Sequence, residues 1–149
     1  MDRPADPVRG AILFVKTCAV CHGENGLGKR VEDAADKKFY QFPPLWGPDS
    51  FNDGAGMARL IAMAGFVRAN MPFGTSWENP AMTEEDAWDI SAFVESQPRP
   101  HMSGLEGDFP NRKQKPVDAA YGPFPNGFSP AQHKFGPFQP IKDAARPKK

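Results

Sequence analysis

Apolar side chains recur at helical spacing in three stretches of residues 1–96, and each stretch is bounded by capping chemistry. Asp6 stands before Pro7, an N-cap followed by proline at the first helical position, which predicts a helix from about Val8 to Lys16. Gly10 and Phe14, four residues apart, share one face of it. Leu60, Met63, Ala64 and Val67 recur near the 3.6-residue period and predict helix over 55–70, with Asn52 or Asp53 available as its cap and Gly65 as a point of division. The last stretch begins at Thr83-Glu84-Glu85-Asp86, which approximates a capping box with three carboxylates at the positive end of the dipole. Trp88, Ile90, Phe93 and Val94 give it bulk, and Pro98 with Pro100 ends it. Asp86 and Asp89 lie in its first two turns, where capping and solvation are the expected roles. Between the first two helices, Gly23, Gly26 and Gly28 open an irregular loop, and the charged run from Lys29 to Lys38 reads as a solvated turn or short helix.

From Gln97 the helical pattern is lost. Ten of the seventeen prolines fall in residues 97–149, and Gly122-Pro123-Phe124-Pro125 is echoed by Gly136-Pro137-Phe138-Gln139-Pro140. A regular second domain is not expected from such a composition, yet Tyr121, Phe124, Phe128, Phe135 and Phe138 are too many aromatics for a plain linker. The division is therefore a domain over 1–96 and, over 97–149, an extended strap whose aromatics dock on that domain; a disordered arm that binds a partner is the competing reading.

Charge sharpens this picture. The chain is neutral overall, which points away from nucleic acid or an anionic membrane as a partner. Residues 1–96 carry 9 Lys/Arg against 14 Asp/Glu, and residues 97–149 carry 9 against 4, so the tail is basic and the domain acidic. The longest apolar run, Ala11-Ile12-Leu13-Phe14-Val15, is far too short to cross a bilayer, and Met1-Asp2-Arg3-Pro4 does not open a signal peptide.

The chemistry is concentrated in Cys18-Ala19-Val20-Cys21-His22, which holds both cysteines of the chain. C-x-x-C-H is the spacing for covalent haem: two thiols add across the two vinyl groups and the histidine is placed under the iron. A thioredoxin-like redox pair would call for a βαβ context, and half of a zinc site for a second ligand pair. Neither accompanies this motif, and His101 and His133 lie in the proline-rich tail. One haem c, covalent through Cys18 and Cys21 with His22 on the iron, is the expectation. It would also supply the apolar bulk that a domain of about 90 residues otherwise struggles to bury.

Residues 8–96 resemble a monohaem class I cytochrome c domain. The run Phe42-Pro43-Pro44-Leu45-Trp46-Gly47-Pro48-Asp49-Ser50-Phe51-Asn52, with Gly54-Ala55-Gly56-Met57 and Ala69-Asn70-Met71-Pro72, is similar to the second haem domain of TsdA-type thiosulfate dehydrogenases, dihaem cytochromes. The resemblance implies an all-α class I cytochrome c fold in which Gly10 and Phe14 sit where the N- and C-terminal helices cross. It also implies that Pro43, the first proline of a Pro-x-Leu-x-Gly-like segment, offers its carbonyl to the second nitrogen of His22, although a polyproline turn that contacts nothing is the alternative.

A second iron ligand is expected, and thioether sulfur suits an electron carrier because it favours Fe(II). Met1 and Met102 lie outside the stretch 8–96 that carries the resemblance, and Met57 and Met63 fall in helical sequence where core packing is the default. Met71, at a helix end before Pro72-Phe73-Gly74, resembles the family's ligand loop in placement; Met82, just before the last helix, competes with it. Asn70 stands where relatives can offer lysine, which points to plain His/Met ligation. Trp46, Asn52 and Arg59 are candidate donors to the haem propionates.

The resulting expectation is a periplasmic, exported monohaem cytochrome that takes single electrons from a donor dehydrogenase or catalytic cytochrome and passes them to an oxidase or reaction centre. The alternative is an electron-accepting haem subunit or domain of a thiosulfate dehydrogenase-type enzyme. With both thiols consumed by haem and no second C-x-x-C-H, the chain alone is expected not to oxidise thiosulfate. A ligand sensor would need an open iron position, which Met71 ligation closes.

Overall fold

The Asp6 side chain accepts hydrogen bonds from the backbone N–H of Val8 and Arg9, and Pro7 takes the first helical position, so α1 (Pro7–Thr17) starts where local chemistry places it. A computed structural model describes residues 1–31, 39–124 and 126–146. After α1 the chain makes a single turn, α2 (Ala19–His22), and an antiparallel two-residue ladder of β1 (Lys29–Arg30) with β2 (Tyr40–Phe42). Two longer helices follow, α3 (Leu60–Asn70) and α4 (Glu84–Ser96). At the start of α4 the Thr83 hydroxyl accepts the Asp86 N–H at 3.1 Å.

α1 and α4 cross at Gly10. A Cβ there would stand inside van der Waals contact of the Asp89 carbonyl and 3.0 Å from Cβ of Phe93, so any side chain would force the helices apart. Phe14, one turn on, is fully buried, with its ring 5.1 Å from Trp46 and 5.3 Å from Phe93. These rings, with Met63 and Val94, make one of two apolar clusters.

The second cluster joins the tail to the body. Leu60 and Ala64 of α3, Trp88 and Ala92 of α4, and Ala5 pack with Phe138 and Ile141, while Val117, Phe128 and Phe135 cover its rim. Burying Phe138 and Ile141 contributes about 1.5–3 kcal/mol each, which explains why a proline-rich segment stays on the surface it covers. The tail is not extended throughout, however: it carries α5 (Pro130–Phe135), capped by Ser129, and α6 (Gln139–Ala145). A serine N-cap with proline next in line starts α5 as Asp6-Pro7 starts α1. Tyr121 and Phe124 do not reach this core; the Lys115 ammonium lies over both rings.

Three local expectations are corrected. Lys29 and Arg30 form a strand rather than a turn or short helix, because β2 returns alongside them; the rest of the charged run, 32–38, lies outside the described residues, as does Pro125. The second helical stretch divides at Arg59, not Gly65, into a 3-10 turn (Gly56–Ala58) and α3. Neither Asn52 nor Asp53 caps α3. Asp118 does so from the tail, its Oδ2 accepting the Ile61 N–H at 3.0 Å, while Asp53 accepts the Met102 N–H and pairs with His101.

Asp89 is not solvated but fully buried. Arg3 binds it through both oxygens at 2.8 Å, Arg9 at 2.6 Å, and the Asp6 N–H at 2.8 Å. Burial alone would raise this carboxyl; the hydrogen bonds from Arg3, the Asp6 backbone and Arg9 outweigh it and hold the group below the usual carboxylate range. Arg9 also pairs with Asp86, so the two aspartates of α4 fasten the N-terminal segment. Among the described residues, no helix is long and apolar enough to cross a membrane.

Candidate haem site

α1 delivers the chain directly into Cys18, and the α2 turn places Cys21 and His22 on one short stretch. His22 is oriented from behind. Its Nδ1 lies 2.8 Å from the Pro43 carbonyl oxygen, which can only accept, so Nδ1 carries the proton and Nε2 is left with a free lone pair. Glycines bring these two segments together: Gly26 (φ +63) lies against the Trp46 indole, where a Cβ would overlap the ring, and Gly28 (φ +77) packs on the backbone of 42–44. Leu45 N–H to Gly26 O at 2.8 Å and Gly28 N–H to His22 O at 2.9 Å complete the clasp. The three glycines after the motif were the sequence signal for this approach.

Around the motif, Cys18, Ala19, Leu45, Phe51, Met57 and Val67 are half-buried against the Phe14–Trp46–Met63–Val94 cluster. A partly covered apolar wall beside two thiols and one oriented imidazole fits a macrocycle. It does not fit zinc, for among the described residues no group of three His, Cys, Asp or Glu side chains could hold a metal ion. Nor does it fit a redox dithiol: burial pushes the Cys18 thiol up, against a weaker pull from the Thr17 hydroxyl at 3.3 Å, and a reactive thiolate needs the opposite shift.

The other candidates are dispersed around this centre. Met71 caps the C-terminus of α3, its N–H bonded to Val67 O at 2.9 Å, and opens the loop to α4; Met82 is half-buried at the far end of that loop. Met63 is buried in the apolar cluster and Met57 packs at its edge. Trp46 is buried between Phe14 and Phe93. Asn52 Oδ1 accepts the Gly54 N–H in a local turn. Arg59 lies 3.6 Å from the buried carboxylate of Asp118. A cation not anticipated from sequence lies nearer the wall: Arg99, buried, rests 4.3 Å over the Phe51 ring.

The cytochrome c family profile matches residues 7–98. The chain belongs to the cytochrome c family. Its helical architecture is the class I fold, and its cofactor is haem c, held by Cys18 and Cys21. It is 42% identical over 108 residues to a thiosulfate dehydrogenase of Allochromatium vinosum, covering 72% of this chain and 37% of that one. To the thiosulfate dehydrogenase of Stutzerimonas stutzeri it is 40% identical over 95 residues, covering 64% and 28%. Among solved structures, TsdBA, a thiosulfate dehydrogenase from Marichromatium purpuratum, superimposes with a TM-score of 0.59 at 40% identity, covering 69% of this chain and 20% of that one. This cytochrome thus spans roughly a third of the length of the curated relatives it matches.

Proposed function

We propose that this cytochrome is an exported, periplasmic carrier of single electrons in thiosulfate oxidation or a related respiratory chain. It would take electrons from a dehydrogenase or catalytic cytochrome and deliver them to an oxidase or reaction centre. The observation that carries this reading is the His22 Nδ1 to Pro43 O contact at 2.8 Å behind a C-x-x-C-H motif. It fixes the tautomer, aims Nε2 at the position the motif assigns to iron, and strengthens the imidazole as a donor.

Bound haem supplies a one-electron Fe(III)/Fe(II) couple. The chain does the rest. Cys18 and Cys21 would tether the group, His22 and Met71 would be its two iron ligands, and Leu45, Phe51, Met57 and Val67 would keep water from the apolar wall. Thioether ligation at Met71 would raise the potential and close the iron to small ligands. Trp46, Asn52 and Arg59 remain candidate donors to the propionates, and Arg59 also lies 3.6 Å from Asp118. Residues 1–96 would be the haem domain and 97–149 its strap, a division supported by Phe138 and Ile141 packing against α3 and α4.

The relatives favour a second reading, in which the chain is the electron-accepting haem subunit or domain of a thiosulfate dehydrogenase-type enzyme. The catalytic work would then fall to a partner, since both cysteines here belong to the haem motif. Purified, haem-loaded protein should be reduced and reoxidised quickly by small mediators and form no tetrathionate from thiosulfate. Tetrathionate production by the isolated chain would overturn the carrier reading. Acceleration of a thiosulfate dehydrogenase by added cytochrome, without activity of its own, would favour the subunit reading.

A further inference from the structure

The loop that follows Met71 is weakly held. From Pro72 to Met82 it has no helix or strand, and its hydrogen bonds close within it: Thr75 N–H to Pro72 O, and Asn79 N–H to both the carbonyl and the hydroxyl of Ser76. It buries little apolar surface, with Phe73 98% and Trp77 67% exposed. A segment with so few tertiary contacts opens at low free-energy cost. An iron ligand at its root would share that mobility unless something restrained the loop.

We propose that Arg68 is a positioning residue that restrains this loop through the face of Trp77 and so keeps the Met71 thioether on the iron; the inference rests on the reading of Met71 as the second ligand. Arg68 sits in the last turn of α3, one turn before Met71. Its guanidinium carbon lies 5.3 Å from the centroid of the Trp77 indole, within cation–π range. Nε is shielded from solvent without a hydrogen-bond acceptor, so the ring face is the electron-rich group the cation has there. Nη2 reaches to 3.9 Å from Glu84, the first residue of α4. One side chain therefore spans the mouth of the loop, from the helix that precedes it to the middle of the loop and to the helix that follows. The ion pair is the weaker arm, because Glu84 is largely exposed and such pairs contribute little.

The test is imidazole binding to the ferric, haem-loaded protein, which reports how often the thioether leaves the iron, read together with the far-red sulfur-to-iron charge-transfer band. Arg68→Ala and Trp77→Ala should each raise the apparent imidazole affinity about fivefold, the change expected for a half-exposed cation–π contact. Trp77→Phe, which keeps an aromatic face, should restore most of the difference, and Glu84→Gln should change little. The double variant Arg68→Ala/Trp77→Ala should match the single variants, because the two side chains act as one contact. If affinity is unchanged in both single variants while the band is present, or if their effects simply add, the restraint is overturned. If the wild-type protein shows no such band, or Met71→Ala keeps it, the Met71 reading itself falls, and these two spectra tell that failure apart from a failure of the restraint.

Discussion

The Glu95 carboxyl offers the sharpest quantitative test. It is 4% exposed on α4, with Arg99 (6% exposed) at 3.7 Å, and one of its oxygens has no hydrogen-bond partner. Lys134 and Asp118, from the tail, are the other charges that act on it. Burial pushes the group from 4.5 up to about 7, against the pull of Arg99 and Lys134 and with the push of Asp118. Desolvation thus outweighs the ion pair, as is common for buried pairs without full hydrogen bonding. The sign follows from proton linkage. Between 4.5 and 7 the folded chain holds a proton that the unfolded chain has lost, so stability falls as pH rises through this window. The shift of about 2.5 pH units corresponds to roughly 3 kcal/mol at about 1.4 kcal/mol per unit. Glu95→Gln mimics the protonated carboxyl and abolishes the effect. Urea unfolding of the haem-loaded protein, followed by tryptophan fluorescence from pH 4.5 to 8, should give matching stabilities for variant and wild type at the acid end. At pH 8 the variant should be the more stable by roughly 3 kcal/mol. A variant less stable than wild type at pH 8 would show that the Glu95–Arg99 pair is net stabilising and would refute the reasoning.

Three further outcomes are expected. Gly10→Ala should cost about 3 kcal/mol or more in unfolding free energy, since α1 and α4 have no room to part without losing the Phe14 contacts; a loss under about 0.5 kcal/mol would mean the crossing is looser than it stands. Asp89→Asn should destabilise by about 3–5 kcal/mol, because Arg3 and Arg9 lose a buried counter-charge, and should open the Arg9–Gly10 bond to trypsin; resistance equal to wild type would count against its role as a fastening. Met71→Ala should abolish the far-red iron–sulfur band and lower the reduction potential, whereas Met82→Ala should leave both unchanged; the reverse result would transfer the ligand to Met82.

What could be read from sequence was written in short-range chemistry. The ends of α1 and α4 follow from Asp6-Pro7 and from Thr83 with its acidic first turn, because a cap and the amides it satisfies lie within three residues of each other. The haem motif is likewise contiguous. The resemblance supplied Pro43, and the reason it is Pro43 became physical only with Gly26 and Gly28 folded beneath that segment. Ser129-Pro130 carried the same start signal in the tail, where a proline-rich composition had suggested an extended chain throughout.

Asp89, read as solvated, and the cap of α3, sought at Asn52 or Asp53, differ for one cause, which is that the partners are distant in sequence. Asp89 is neutralised by Arg3 and Arg9, 86 and 80 residues away, and Asp118 caps a helix 57 residues before it while lying 3.6 Å from Arg59. No local pattern distinguishes such an aspartate from a solvated one, since the cost of burying it is offset only by groups that the completed fold brings up. The same reasoning ties the tail to function. Asp118 starts α3, and α3 ends at Met71, so a contact made by the tail fixes one end of the helix whose other end carries the proposed iron ligand.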